Sequence, residues 1–178
     1  MEWPRIGDVY FEMIRTILRA GGGACAATAR APAVASALPE LNLDHLQRMT
    51  DDTGIIQHAT YSVPARRTGY CVDDNARALI VAVHVDRVQA SAAAHGLVTT
   101  YLSYLHCSQE PDGSFRNFMS YDRSFEPTAA SDDSIGRAIW ALGVTATLAD
   151  DEGCRSLARD MFARAVPHAL ELGSRCTG

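Results

Sequence analysis

Lysine is missing from this 178-residue chain, and all 16 of its basic residues are arginine. Together with abundant alanine, this bias reads as GC-rich coding. It leaves any carboxylate that needs a cation with a rigid planar fork and not a flexible ammonium. Positive charge is also in deficit, since 21 acids bring the net charge to −5 and the pI near 5.6. Without a basic face to neutralise phosphates, nucleic acid is not expected as a partner. Apolar runs are short too, and none approaches the roughly 18 consecutive residues that would span a bilayer. The first residues, with Glu2, Arg5 and Asp8, lack the charged-then-apolar order of a signal peptide. Cytoplasm is the expected location.

The five cysteines, Cys25, Cys71, Cys107, Cys154 and Cys176, are odd in number, scattered and free of any C-x-x-C pair. That argues against a disulfide framework and a thiolate zinc site. Asp-Asp pairs and His58 offer hard oxygen and imidazole ligands, yet no H-x-x-x-H and no loop of calcium-binding spacing occurs, so no metal is expected. No G-x-S-x-G elbow is present. Gly21-Gly22-Gly23 lacks the Lys-Ser or Lys-Thr of a phosphate-cradling loop. No cofactor follows from the sequence.

What the chain does have is apolar residues, at 47% enough to bury one respectable core but not two complete domains. Ile6, Tyr10, Met13 or Ile14, and Ile17 fall at helical spacing, with Pro4 acceptable in a first turn, so residues 1–20 are expected to form an amphipathic helix. Residues 21–40, small and Pro/Gly-rich, read as a linker ending in a module boundary near 40. A short helix is expected from Asn42 as cap through Leu43, Leu46 and Met49. Residues 51–70 carry Gly, Pro and polar aromatics without helical period and read as an ordered, functional loop.

From Asp73 to about Val88, Ala76, Leu79, Ile80, Val83 and His84 fall on one helical face, and a second apolar helix spans about 92–106. After a long loop at 108–131 around Pro111-Asp112-Gly113, helices are expected from Asp132 to about Leu148 and from Glu152 to about Leu172. The chain from 73 to 172 is thus expected to be all-α, two antiparallel αα-hairpins separated by the loop.

An internal repeat strengthens this reading. Asp73-Asp74-Asn75-Ala76-Arg77-Ala78-Leu79 aligns without gaps on Asp133-Ser134-Ile135-Gly136-Arg137-Ala138-Ile139, sixty residues later, as D-x-x-[AG]-R-A-[LI]. Paired helices repeated in this way stack on one another, as in an αα-solenoid or a closed toroid. Asp and Arg at i and i+4 meet on a helix surface. The small residue before Arg is expected to permit close helix approach in both copies. The doubling of acids, Asp73-Asp74 and Asp132-Asp133, offers two carboxylates at each helix start, one to cap and one to face solvent or ligand.

The runs His58-Ala59-Thr60-Tyr61-Ser62-Val63-Pro64 and Gly69-Tyr70-Cys71-Val72-Asp73-Asp74-Asn75-Ala76-Arg77-Ala78-Leu79, then 109–123 and Ser131-Asp132-Asp133-Ser134-Ile135-Gly136-Arg137-Ala138, resemble a bacterial family of six-hairpin, glycosidase-like toroid proteins. Members occur fused to or beside retaining group 1 glycosyltransferases. The resemblance covers residues 43–148. Trp3-Pro4-Arg5-Ile6-Gly7-Asp8-Val9-Tyr10 resembles the closing helix of a GT-B glycosyltransferase.

These resemblances imply part of an (α/α)6 toroid in residues 41–178. A complete toroid needs about twice that length at ordinary helix sizes, so the chain is expected to be a fragment carrying about half of one. An oligosaccharide ligand and a glycosyltransferase domain are the implied partners. Glycoside hydrolysis takes two carboxyl groups, for which Asp73, Asp74, Asp132 and Asp133 are candidates. Tyr61 and Tyr121 are candidates for stacking on a sugar, and His58, Asn75, Arg77, Arg116, Asn117 and Arg137 for its hydroxyls. Tyr70, Phe115 and Phe118 lie on the same loops, the two phenylalanines more plausibly as core anchors. Two functions compete, a glycosidase and a non-catalytic glycan-binding module that supports a glycosyltransferase.

Overall fold

The computed structural model describes the backbone of residues 41–175, and the expected helix at 1–20 and linker at 21–40 lie outside those residues. The described chain is mostly helical. Helix α1 (Asp44–Met49) is followed by short strands β1 (Ala59–Thr60), β2 (Val63–Pro64) and β3 (Tyr70–Cys71). Helices α2 (Val72–Gln89) and α3 (Ala92–Ser108) come next, then β4 (Phe118–Met119), α4 (Asp132–Leu148) and α5 (Glu152–Arg175). No described helix is long and apolar enough to cross a membrane.

Local chemistry sets the helix ends. Ser91 and Ser131 cap α3 and α4, each side chain accepting from the amide three residues on. The expected capping by an Asp of the doubled pairs is therefore corrected, because a serine one position earlier already takes the orphan amide of α4, while Asp73, Asp74 and Asp133 pair with arginine. Asn42 acts one position further out than expected. Its Oδ1 accepts from Asp44 N at 2.6 Å, while Leu43 occupies the cap itself. Helix α2 ends on Ala90 in the left-handed region, φ 46°, with the Ala90 amide donating to Asp86 O.

The two-residue turn after α2 makes it antiparallel to α3, and α4 and α5 form the second hairpin in the same way. Helix α2 then packs along α4 as extensively as along α3, whereas α3 and α5 touch little. The contacts at the two ends fix the direction. Asp73 meets Arg137 near the starts of α2 and α4, and Arg87 donates to Leu148 O at their far ends, so the two run parallel.

The core lies among these helices, with Leu79, Val83, Tyr101, Leu105, Leu142 and Met161 inaccessible to solvent. Of the face expected on α2, Ala76, Leu79 and Val83 are buried and Ile80 is half-buried. His84 is exposed, a correction that follows from α4 covering only one flank of α2.

The long loops are held to the helices by paired backbone. β3 pairs antiparallel with β4, Tyr70 opposite Met119 and Cys71 opposite Phe118, which fastens the 108–131 segment to the start of α2. The segment therefore contains a short strand where only loop was expected, and bridges Gln109–Phe115, Arg116–Ala129 and Met119–Phe125 order the rest. Gly113, at φ 93°, lies so close to the Arg164 carbonyl of α5 that a β-carbon has no room. Fully buried Asn75 fastens the other loop: its Oδ1 accepts from Ile55 N at 3.1 Å and its Nδ2 donates to Cys71 O at 2.9 Å.

Asn75→Leu, close in shape but unable to make either bond, leaves the Ile55 amide without its partner and is expected to cost about 1–3 kcal/mol. Thermal unfolding should show the loss, with faster hydrogen exchange at the Ile55 amide. Exposed Gln89→Ala should change stability by under about 0.5 kcal/mol.

Candidate functional site

The repeated Asp and Arg residues meet at the adjacent starts of α2 and α4. Arg77 Nη2 donates to Asp73 Oδ2 at 2.6 Å and to Asp74 Oδ1 at 2.7 Å. Arg137 Nε donates to Asp133 Oδ2 at 2.9 Å and stands 2.7 Å from Asp73 Oδ1. Asp73 thus has a guanidinium against each of its oxygens, one from its own helix and one from the next repeat. The remaining oxygen of Asp74 accepts from Cys71 Sγ at 3.1 Å. Burial, with the neighbouring carboxylates adding to it, pushes the Cys71 thiol up to about 12, so it stays protonated as the donor. Asp132 is exposed and forms no ion pair among the described residues. The arginines and carboxylates here are all partly or well exposed, so each pair adds little to stability.

A second polar group is assembled from loops. Tyr70 O–H donates to Asp51 Oδ2 at 2.7 Å, and burial followed by this bond raises its pKa well above the usual tyrosine value. Tyr121, half-exposed, stacks on Tyr70 with ring centroids 6.3 Å apart and planes 20° from parallel. Arg123, at φ 68°, grips Asp52 with 2.8 Å to each carboxylate oxygen. Beside them a cavity of about 180 Å³ is lined by Asp52, Thr53, Tyr104, Cys107, Met119 and Arg123, with Ser103 on its wall.

The expected residues are therefore divided. Asp73, Asp74, Arg77, Asp133 and Arg137 come together, whereas Tyr121 belongs to the loop-built group. Asn75 is wholly buried and spends both ends of its amide on backbone. Asn117 is buried, its carbonyl accepting from Val72 N, and its Oδ1 has no partner among the described residues. Arg116 lies over the Phe125 ring at 4.1 Å and 2.6 Å from Glu110 Oε1. His58 and Tyr61 are exposed at the β1–β2 hairpin, where Tyr61 takes φ 54° in the turn. Phe115 is a core anchor.

Asp51, Asp52, Thr53 and Arg123 were not among the expected site residues. The doubled acid at 51–52 was visible, but nothing local joins it to an arginine 71 residues away. Among the described residues no three His, Cys, Asp or Glu side chains gather as metal ligands.

No protein-family model matches the chain, and no curated protein matches it either.

The loop that presents Tyr121 and Arg123 turns on Asp122, whose Oδ1 accepts from Ser120 Oγ at 2.5 Å, Ser124 Oγ at 2.6 Å and Ser124 N at 3.0 Å. Hydrogen bonds from Ser120 first, and then Ser124, hold its carboxyl down at about 2 from the ordinary 3.8. A depressed folded-state pKa gives stabilisation that is full above the ordinary value and lost as pH falls through the folded one. The turn is thus expected to be intact above pH 4 and to loosen towards pH 2. A carbon-detected NMR titration of the Asp122 carboxyl should place its midpoint near 2, and Ser120→Ala combined with Ser124→Ala should return it towards 3.8.

Proposed function

We propose that the chain is a glycosidase-like αα-repeat module, part of an (α/α)6 toroid, that binds a neutral oligosaccharide without hydrolysing it and supports a group 1 glycosyltransferase in the cytoplasm. The observation that carries the non-catalytic reading is Asp73, with a guanidinium on each carboxylate oxygen. A general acid needs an oxygen able to hold and release a proton to the glycosidic bond. Each oxygen of Asp73 already faces an arginine, Oδ2 accepting from Arg77 and Oδ1 in ionic contact with Arg137 without a hydrogen bond. Carboxylates and guanidinium groups fixed in this way instead present acceptors and donors to sugar hydroxyls, and Tyr121 and Tyr61 supply exposed rings for the apolar faces of sugars.

The resemblance to six-hairpin glycosidase-like proteins supports the sugar ligand and the transferase partner. Parallel α2 and α4 with their outer helices are compatible with the toroid. A hydrolytic reading draws on one feature, the carboxylate of Asp132 beside Asp133, exposed and without an ion pair among the described residues.

A neutral-glycan panel followed by calorimetry on the full chain tests the proposal. Binding is expected without release of reducing sugar, and Tyr121→Ala should weaken affinity about three- to tenfold, as loss of an aromatic contact does. The single variants Asp73→Asn, Asp74→Asn, Asp132→Asn and Asp133→Asn should stay folded. Turnover by the natural chain that any of these variants lowers by orders of magnitude would establish a glycosidase. Failure to bind any glycan would remove the reading altogether.

A further inference from the structure

Positions sixty residues apart in the two repeats have opposite exposure on two helix faces. On α2 Asp73, which meets Arg137 of α4, shares a helix face with Ala76, Ile80 and Val83, and all four are buried or half-buried. Their equivalents on α4, Asp133, Gly136, Trp140 and Gly143, form a stripe in which Asp133, Gly136 and Trp140 are exposed. Conversely α4 meets α2 at Arg137 and Leu148, which share a face with Ala141 and Val144, all four buried or half-buried, while their equivalents on α2, Arg77, Val81, His84 and Val88, are exposed.

The pattern has one physical cause. Helices α2 and α4 each have an acceptor face and a docking face, and the junction between them, the one such parallel junction among the described residues, uses the acceptor face of the first and the docking face of the second. The unused faces are the complementary pair. Exposure measures what is left over: Val81 is 45%, Val88 81% and Trp140 59% exposed. Gly136 has nothing among the described residues within 4 Å of where a β-carbon would stand. The small residue before Arg is thus fully buried at Ala76 and exposed at Gly136.

Charge follows the same rule. At the existing junction Arg137 lies between Asp133 of its own helix and Asp73 of the neighbouring one. The equivalent acceptor on the unused face, Asp133, has its side chain 68% exposed where that of Asp73 is 25% exposed. The equivalent donor is Arg77, which pairs only within its own helix among the described residues.

We propose that a second copy of this chain docks head to tail on the first, laying Arg77, Val81, His84 and Val88 of one copy against Asp133, Gly136 and Trp140 of the other. The internal α2–α4 junction is the template, and Arg77 of one copy reaches Asp133 of the next as Arg137 reaches Asp73. The contact is heterologous, so it leaves one free face of each kind and propagates beyond a dimer until the array closes or stops. It does not depend on the glycan reading.

Sedimentation of the full chain over a concentration series tests this, with circular dichroism as the check on folding. The natural sequence is expected to increase in average mass with concentration past that of a dimer. Val81→Arg blocks the docking face and Trp140→Arg the acceptor face, so each variant alone should remain monomeric. An equimolar mixture should form a one-to-one dimer and stop there, because each variant retains the face the other lacks. Val88→Arg replaces Val81→Arg if the latter loses helical signal. The proposal is overturned by a natural chain that stays monomeric throughout, by variants that still self-associate, or by a mixture of folded variants that does not pair.

Discussion

The packing of α2 against two helices at once is the constraint on which the rest of the structure depends. One face meets α3 across a two-residue turn, and the other meets α4 from the next repeat. An isolated αα-hairpin leaves the flanks of its helices open to water, and the second hairpin covers one flank of the first. The buried small residues Ala76, Ala78 and Ala82 leave little side-chain bulk between α2 and its neighbours. Larger Leu79 and Val83 fill the space between. Once α2 and α4 lie parallel, their N-terminal ends are adjacent by necessity, and the Asp–Arg repeats become a single network without any further device.

The loops depend on the same helix. β3 runs directly into α2, so the β3–β4 pairing that holds the 108–131 segment is anchored at the first residues of the helix. Asn75, one turn in, holds the other loop by its amide, and Tyr70 and Tyr104 pack at 6.2 Å beneath the Tyr121 stack. Buried polar groups demand partners, and here the partners are loop backbones. That demand gives irregular segments fixed shapes and so lets them present Tyr121 and Arg123 from a firm base.

Helices and pairing within them were legible because their causes are local. A period of 3.6 residues announced α2 to α5, and the spacing of four announced the bonds from Arg77 to Asp73 and from Arg137 to Asp133. The link from Arg137 to Asp73 crosses between repeats, and its geometry depends on the parallel packing of α2 and α4. Exposure of His84 and Gly136 was missed for a related reason: periodicity shows which residues share a face but not whether that face has a neighbour. The grip of Arg123 on Asp52 joins two loops through a residue at positive φ, and no local pattern encodes that meeting. Asn75 carried a misleading signal, since an amide at a helix start beside two acids has the same letters whether it faces a ligand or a backbone.

Charge at the joined helix starts narrows the chemistry further. Among the described residues Asp73, Asp74 and Asp133 contribute three negative charges against two positive charges from Arg77 and Arg137, and exposed Asp132 adds a fourth negative charge. The local balance of four against two is therefore −2. Partial positive charge at the starts of α2 and α4 offsets about half a unit each, so the surface remains acidic, in keeping with the chain's net charge of −5. A phosphorylated or sulfated ligand is repelled by such a surface. Neutral hydroxyls meet no such penalty: each can donate to a carboxylate and accept from a guanidinium, two functions that the alternating Asp and Arg groups supply side by side.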